Sequence, residues 1–360
     1  MTDMKSLFTG RNVLITGVCG TIGTETLRQV AQLTDGRIVG LDNNETEIFM
    51  ASEQWRDRDN IELFVGDIRD RDKLTSKMRG IDVVLHTAAL KHVGVCELSP
   101  EDAIQTNITG IQNVIEAAFH NQVGRVVFTS SDKAVNPTNV MGTSKLMGER
   151  LFTAANARRR DDDDPVFTTT RFGNVLGSRG SVIPLFQQQI LSGGPVTLTD
   201  PNMTRFIMSV EEAVSLVLRS VHLSLGGEVF ITKMPVVRIE DLARAMILNI
   251  SATTDLRGED INIETTGVRP GEKLYEELMN GEEARRTVEL DDFLVVLPAF
   301  IDIYRKTEYK YDGMRRLDKP EYNSQLELEM SLEQIRHFLH QHNLIPSDHA
   351  EIQDSLRCAS

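Results

Sequence analysis

At 360 residues the chain is too long for one minimal domain and short for three, so a large domain with a smaller companion is expected. The net charge of -14 excludes nucleic acid or an anionic membrane as the main partner, because both reward clustered Lys and Arg. A local cationic pocket still admits a nucleotide-sized anion. The three cysteines, Cys19, Cys96 and Cys358, show no metal-ligand spacing and are odd in number. That argues against a disulfide framework and for a reducing cytoplasm. No apolar run reaches the roughly 18 residues of a spanning helix, so no membrane insertion is expected.

In chain order, apolar runs predict strands at 13–16, 37–42, 61–65, 83–86, 125–130 and 166–171. Helical stretches are predicted between them, at 24–33, 100–120 and 143–157. Strands alternating with helices mean βαβ crossovers, hence an α/β fold with a doubly wound parallel sheet. The charged run 158–165 reads as a solvated loop. Beyond about residue 175 the rhythm loosens into Pro/Gly clusters, at 193–195, 200–202 and 269–271. The expected organisation is a dinucleotide-binding domain over 1–175 and a mainly substrate-binding lobe over 176–325, with some segments returning to the first domain. An amphipathic helix and a polar tail follow over 326–360.

Gly17-Val18-Cys19-Gly20-Thr21-Ile22-Gly23 has the form G-x-x-G-x-x-G, directly after a strand and directly before a helix. Glycines there permit a tight turn and a close approach of backbone to a pyrophosphate, which the helix N-terminus then attracts. Asp42 ends the second predicted strand, 19 residues after Gly23, where a carboxylate accepts hydrogen bonds from an adenosine ribose. This favours NAD over NADP, since a 2′-phosphate would be repelled. Asp67, after the third strand, is a candidate for the adenine ring.

Ser131-Asp132-Lys133 follows another apolar strand, and Met141-Gly142-Thr143-Ser144-Lys145 comes soon after. A doubly wound fold places its chemistry at such strand ends. Taken with 86–92, 131–142, 171–175, 200–206 and 269–273, these segments resemble the extended short-chain dehydrogenase/reductase family. More narrowly, they resemble its nucleotide-sugar 4,6-dehydratases acting on UDP-N-acetylglucosamine. The resemblance runs from about residue 10 to about residue 280.

One departure matters. The wider family carries Tyr-x-x-x-Lys, and here the tyrosine position holds Met141, whose thioether is neither acid nor base. Lys145 remains one helical turn on, where the resemblance has it hold the nicotinamide ribose. The Met variant is similar to the branch that retains configuration at C5. The implied reaction moves a hydride from C4 of the sugar to NAD, eliminates water across C5 and C6, and returns the hydride at C6. By resemblance Lys133 is the C5 base, with its pKa lowered by Lys145 and the oxidised nicotinamide, and Asp132 is the acid for the C6 hydroxyl. Asp132, or a relay through Ser131, takes the C4 hydroxyl proton.

The resemblance also puts Ile68 and Ala88 in the cofactor wall. It gives Lys91, Met141, Asn174 and Glu272 to the substrate, with Arg205 and Arg269 on its diphosphate. His86 and His92 have no metal-like spacing, and no metal is expected. A homo-oligomer is implied by the family alone. Three alternatives stay open: a C5-inverting dehydratase, a 4-epimerase on a related nucleotide sugar, and a non-catalytic NAD(P)-binding regulator.

Overall fold

All six apolar runs become strands in the computed structural model, which describes residues 2–178, 180–254, 256–268, 271–300 and 307–345. They are β1 (Val13–Thr16), β2 (Ile38–Asp42), β3 (Ile61–Val65), β4 (Val83–His86), β5 (Arg125–Ser131) and β6 (Val166–Phe172). All pair in parallel, in the order β3-β2-β1-β4-β5-β6. β1 and β4 are buried along their whole length, as parallel strands covered on both faces must be, which is why they read as unbroken apolar runs.

The sheet continues past β6 with Val229–Thr232 in parallel, then antiparallel with Phe293–Val296, Thr287–Glu289 and Arg315–Arg316, ten strands among the described residues. Strand order reverses between β1 and β4. That reversal opens a crevice at their carboxyl ends, where open α/β sheets bind ligands.

The chain divides into two compact units. The first holds the described residues up to Phe172, then Glu211–Lys233 and Leu278–Glu321. One of its cores is built on the rings of Phe128, Phe152 and Phe167, with Phe152 packed between the other two at centroid distances of 5.2 and 5.5 Å. Phe152 is fully buried. Phe152→Ala is therefore expected to cost about 3–5 kcal/mol through lost burial and a residual cavity, read as a lower urea midpoint.

The second unit holds Gly173–Val210, Met234–Glu277 and the described residues from Tyr322 onward. Its strand Thr204–Met208 lies between Asn174–Val175 and Val236–Arg238. Helices Val182–Leu191, Ile239–Ala252 and Leu332–Gln341 close a core containing Phe186, Met246 and Phe338. The last of these helices is the amphipathic stretch expected near the C-terminus, and a reciprocal Ser331–Gln334 capping box starts it. No helix among the described residues is long and apolar enough to cross a membrane.

Candidate active site

The glycine turn follows β1 and starts the helix Thr21–Leu33, which no side chain caps. Gly17 adopts a positive φ of 70°. A Cβ there would lie 2.7 Å from the Ala88 backbone. A Cβ on Gly23 would lie 2.0 Å from the Gly17 carbonyl oxygen. Helix and strand meet here at a distance that only glycine allows, which leaves a bare backbone surface at a positive helix end.

Asp42 accepts the Cys19 N–H at 3.1 Å and the Asn44 N–H at 3.1 Å, one on each carboxylate oxygen. A carboxylate has about four acceptor positions, so each oxygen retains one for a ribose hydroxyl. Ile68 is buried, and its side chain lies where a Cβ on Gly110 would stand, 2.7 Å away. Asp67, the residue expected at the adenine ring, is bonded to Arg69 in this structure. Its carboxylate takes Arg69 Nη2 at 2.6 Å and Nε at 2.9 Å. Those bonds, ahead of an opposing desolvation, lower its pKa.

At the end of β5 three side chains converge. Ser131 Oγ donates to Asp132 Oδ1 at 2.6 Å, and Lys133 Nζ donates to the same oxygen at 3.0 Å. The Lys133 backbone N–H adds a third bond to that oxygen at 2.8 Å. The Asp132 side chain has no exposure and that of Lys133 has 27%, so the carboxyl is sealed while the lysine side chain is partly exposed.

The helix Val140–Ala155 abuts this turn so closely that a Cβ on Gly142 would fall 2.2 Å from the Lys133 carbonyl oxygen. Asn139 caps that helix by accepting the Gly142 N–H. Met141 is buried with Cys96 and Ala103, against Leu90 and Val93, an apolar packing role.

Lys145 is buried and donates from Nζ to the Thr129 carbonyl at 3.0 Å. Burial lowers its pKa to about 8, against the opposing charges of Glu149 and Cys96. Neighbouring His86 accepts or donates at Nδ1 to Thr16 Oγ1, 2.7 Å away. Burial first, and Lys145 second, lower its pKa to about 3, so the ring is neutral. Among the described residues no cluster of three or more His, Cys, Asp or Glu side chains suits a metal.

One polar group here escaped the sequence reading. The stretch predicted as a single helix over 100–120 contains a π-helical turn, Gln105–Thr109. It turns buried Asn107 towards Leu90, whose N–H it accepts at 2.8 Å and whose carbonyl it meets at 3.0 Å. Asn107 also donates to Ser144 Oγ at 2.9 Å. It thereby ties the segment after β4 to the helix carrying Lys145. The available signal was a helix-disfavouring Asn inside an otherwise apolar helical pattern.

Of the residues expected at the substrate, Lys91 is exposed on the segment after β4. Asn174, Arg205 and Glu272 belong to the second unit, where they line an open cleft of about 910 Å³ together with Leu185, Thr197 and Thr199. Asn174 Nδ2 donates to the Phe206 carbonyl at 3.4 Å, and Glu272 accepts from Thr199 Oγ1 at 3.5 Å. Arg205 is buried, with its guanidinium on the carbonyls of Thr204 at 2.8 Å and Lys273 at 2.9 Å and near Glu276. The cation expected at a diphosphate is thus clasped to the 273–276 segment. Arg269 lies outside the described residues.

A reversed-order parallel sheet, a glycine turn after β1 and a polar triplet at the end of β5 define an extended short-chain dehydrogenase/reductase. Within that class, the chain belongs to the polysaccharide biosynthesis protein family, whose pattern it matches over residues 13–298.

The uncharacterized membrane protein MJ1061 of Methanocaldococcus jannaschii is 44% identical over 88% of this chain and 97% of its own. A UDP-N-acetylglucosamine 4,6-dehydratase (inverting) of Campylobacter jejuni is 36% identical over 86% of this chain and 89% of its own. A UDP-glucose 4-epimerase of Rickettsia canadensis is 36% identical over 92% and 96%. Among solved structures, Pen from Bacillus thuringiensis superposes with a TM-score of 0.86 at 40% identity, covering 94% of this chain and 99% of that one. DesIV, a dTDP-glucose 4,6-dehydratase from Streptomyces venezuelae solved with NAD and TYD, shares the fold. Its TM-score is 0.62 at 22% identity, over 73% of this chain and 86% of that one.

Proposed function

We propose that the protein is an NAD-dependent nucleotide-sugar 4,6-dehydratase acting on UDP-N-acetylglucosamine with retention at C5. At the coarser level, the family makes it a nucleotide-sugar-modifying enzyme. The finer reading is carried by one observation. Asp132 and Lys133 share a hydrogen bond at the end of β5, while the position of a catalytic tyrosine holds a buried methionine.

The glycine turn fits NAD, because its bare backbone suits a pyrophosphate and Asp42 retains acceptors for the ribose. When bound, NAD oxidises C4 of the sugar and later reduces C6. Lys145 holds the nicotinamide ribose. Ser131 passes the C4 hydroxyl proton towards Asp132, to which it is already bonded at 2.6 Å.

The C4 ketone acidifies the C5 proton, which Lys133 removes as the free amine. Asp132 protonates the departing C6 hydroxyl, and water leaves. As the hydride reaches C6, Lys133 returns its proton to the same face of C5, which keeps the configuration, and Asp132 is left ionised beside it at 3.0 Å. The pair therefore ends the turnover as it began, the C4 hydroxyl proton having left in the water and the C5 proton having gone back to C5. In the second unit, Asn174 is assigned to the diphosphate or sugar of the substrate and Glu272 to its nucleotide ribose, with Arg205 on the diphosphate.

Incubation with UDP-N-acetylglucosamine is expected to give loss of one water and a 6-methyl doublet by NMR. An unchanged sugar with cofactor still bound sinks the dehydratase reading in favour of a regulator. The inverting and 4-epimerising relatives support a second reading, on which the same experiment in deuterium oxide decides. Inverted C5 identifies the inverting enzyme, and a C4 epimer that keeps its C6 hydroxyl identifies an epimerase.

A further inference from the structure

The helix that carries Lys145 has a second buried ionisable group one turn further on. Glu149 is 2% exposed, and its two oxygens receive Arg171 Nε at 2.9 Å and Nη2 at 2.5 Å. Arg171, fully buried in β6, also donates from Nη1 and Nη2 to Glu283 at 2.9 and 3.0 Å. Its Nη1 reaches the Leu278 carbonyl at 2.7 Å. Burial works against the guanidinium charge, but the two carboxylates outweigh it and hold the pKa of Arg171 above its ordinary range.

One carboxylate would neutralise Arg171, and the fold supplies two. Arg286, which also acts on Glu283, is paired with the exposed Glu282. The buried set therefore carries an excess negative charge, which is costly away from water unless a cation lies beside it. Lys145 is that cation, four residues before Glu149 on one helix face. Lys145, Glu149, Arg171 and Glu283 then alternate in sign and sum to zero.

The other titratable groups around Lys145 do not replace Glu149. His86 from β4 is neutral, and burial, with Glu97 second, pushes the Cys96 thiol on helix Val93–Leu98 up.

We propose that Glu149, locked by Arg171 and backed by Glu283, is a positioning residue that keeps the Lys145 ammonium charged at the cofactor ribose. The proposal rests on the reading of Lys145 given above. Its excess charge explains why a buried lysine beside a neutral histidine remains a cation, as a ribose-holding group must.

The test labels lysine with carbon-13 at Cε in the holoenzyme and follows Lys145, identified by the signal missing from Lys145→Arg. In Glu149→Gln the Lys145 titration midpoint is expected to fall by about one pH unit or more, as loss of a nearby opposite charge dictates. Glu149→Asp restores most of it. The alkaline limb of nicotinamide reduction on adding substrate moves down by the same amount. An unmoved Lys145 midpoint in folded Glu149→Gln overturns the proposal.

Should Glu149→Gln fail to fold, Glu283→Gln carries the test, because it leaves Glu149 and Arg171 paired. A smaller fall in the same direction supports the proposal, and no fall overturns it. The titration reads Lys145 whatever the sugar product is. Absence of a 6-methyl product therefore removes the dehydratase reading alone.

Discussion

Lys133→Met is expected to stop water elimination while leaving nicotinamide reduction by the sugar intact. The substitution keeps most of the side-chain length and removes the nitrogen that donates to Asp132 at 3.0 Å. General-base catalysis contributes about a hundredfold to ten-thousandfold, and that is the loss expected in the rate of 6-methyl formation. The C4 oxidation does not use the amine, so nicotinamide absorbance still rises on mixing enzyme with UDP-N-acetylglucosamine and then stays high. Stopped-flow absorbance paired with NMR of the sugar separates the two steps. Elimination at the wild-type rate in Lys133→Met would falsify the assignment of the base. Loss of both steps together would instead mean that the side chain holds the substrate.

The second large effect belongs to Gly17→Ala. The backbone there is left-handed, with φ at 70°, which costs an L-residue about 1–2 kcal/mol. The added methyl would also stand 2.7 Å from the Ala88 Cα and N, where no flexible side chain gives way. Overpacking of that kind adds about 1–3 kcal/mol. A lower urea midpoint and purified protein stripped of NAD are the expected results. Gly10→Ala is the control, since Gly10 has a φ of 71° and nothing within 4 Å of its would-be Cβ. It should show the backbone cost alone and keep its cofactor. Equal losses in the two variants would mean that the approach to Ala88 is not what makes Gly17 necessary.

Legibility followed burial and chain distance. The strands β1, β3 and β4 were legible to the residue, and β2, β5 and β6 within one. β1 and β4 are covered on both faces and so read as unbroken apolar runs. The half-buried edge strand β3 was marked instead by its short run of Ile, Leu, Phe and Val. The helix expected from 24 begins at Thr21, since its first turn lies inside the glycine motif and carries no apolar period. The strands of the second unit were not legible. Asn174–Val175 and Val196–Leu198 are too short to show any alternation.

In the candidate site, the glycine turn and Ser131-Asp132-Lys133 were legible because each is contiguous. Asn107 was not, since a π-helical turn depends on tertiary contacts rather than on a residue period. Nor was the coupling of Arg171 to Glu149 and Glu283, its partners 22 and 112 residues away. Arg205 shows the converse. Residue type correctly marks a cation, while its backbone partners from the 273–276 segment are visible only in three dimensions.

The ten-stranded sheet has a consequence for the chain as it leaves the ribosome. β6 ends at Phe172, but the strand that pairs with its far side begins only at Val229. At about 5–20 residues per second, the intervening stretch of roughly 60 residues takes on the order of 3–12 s to emerge. Throughout that interval a buried-type strand, Val166–Phe172, has an unpaired edge of the kind that recruits other chains. A polypeptide stopped at Phe172 would hold that state indefinitely, so the nucleotide-binding half of this molecule is a poor candidate for production by itself.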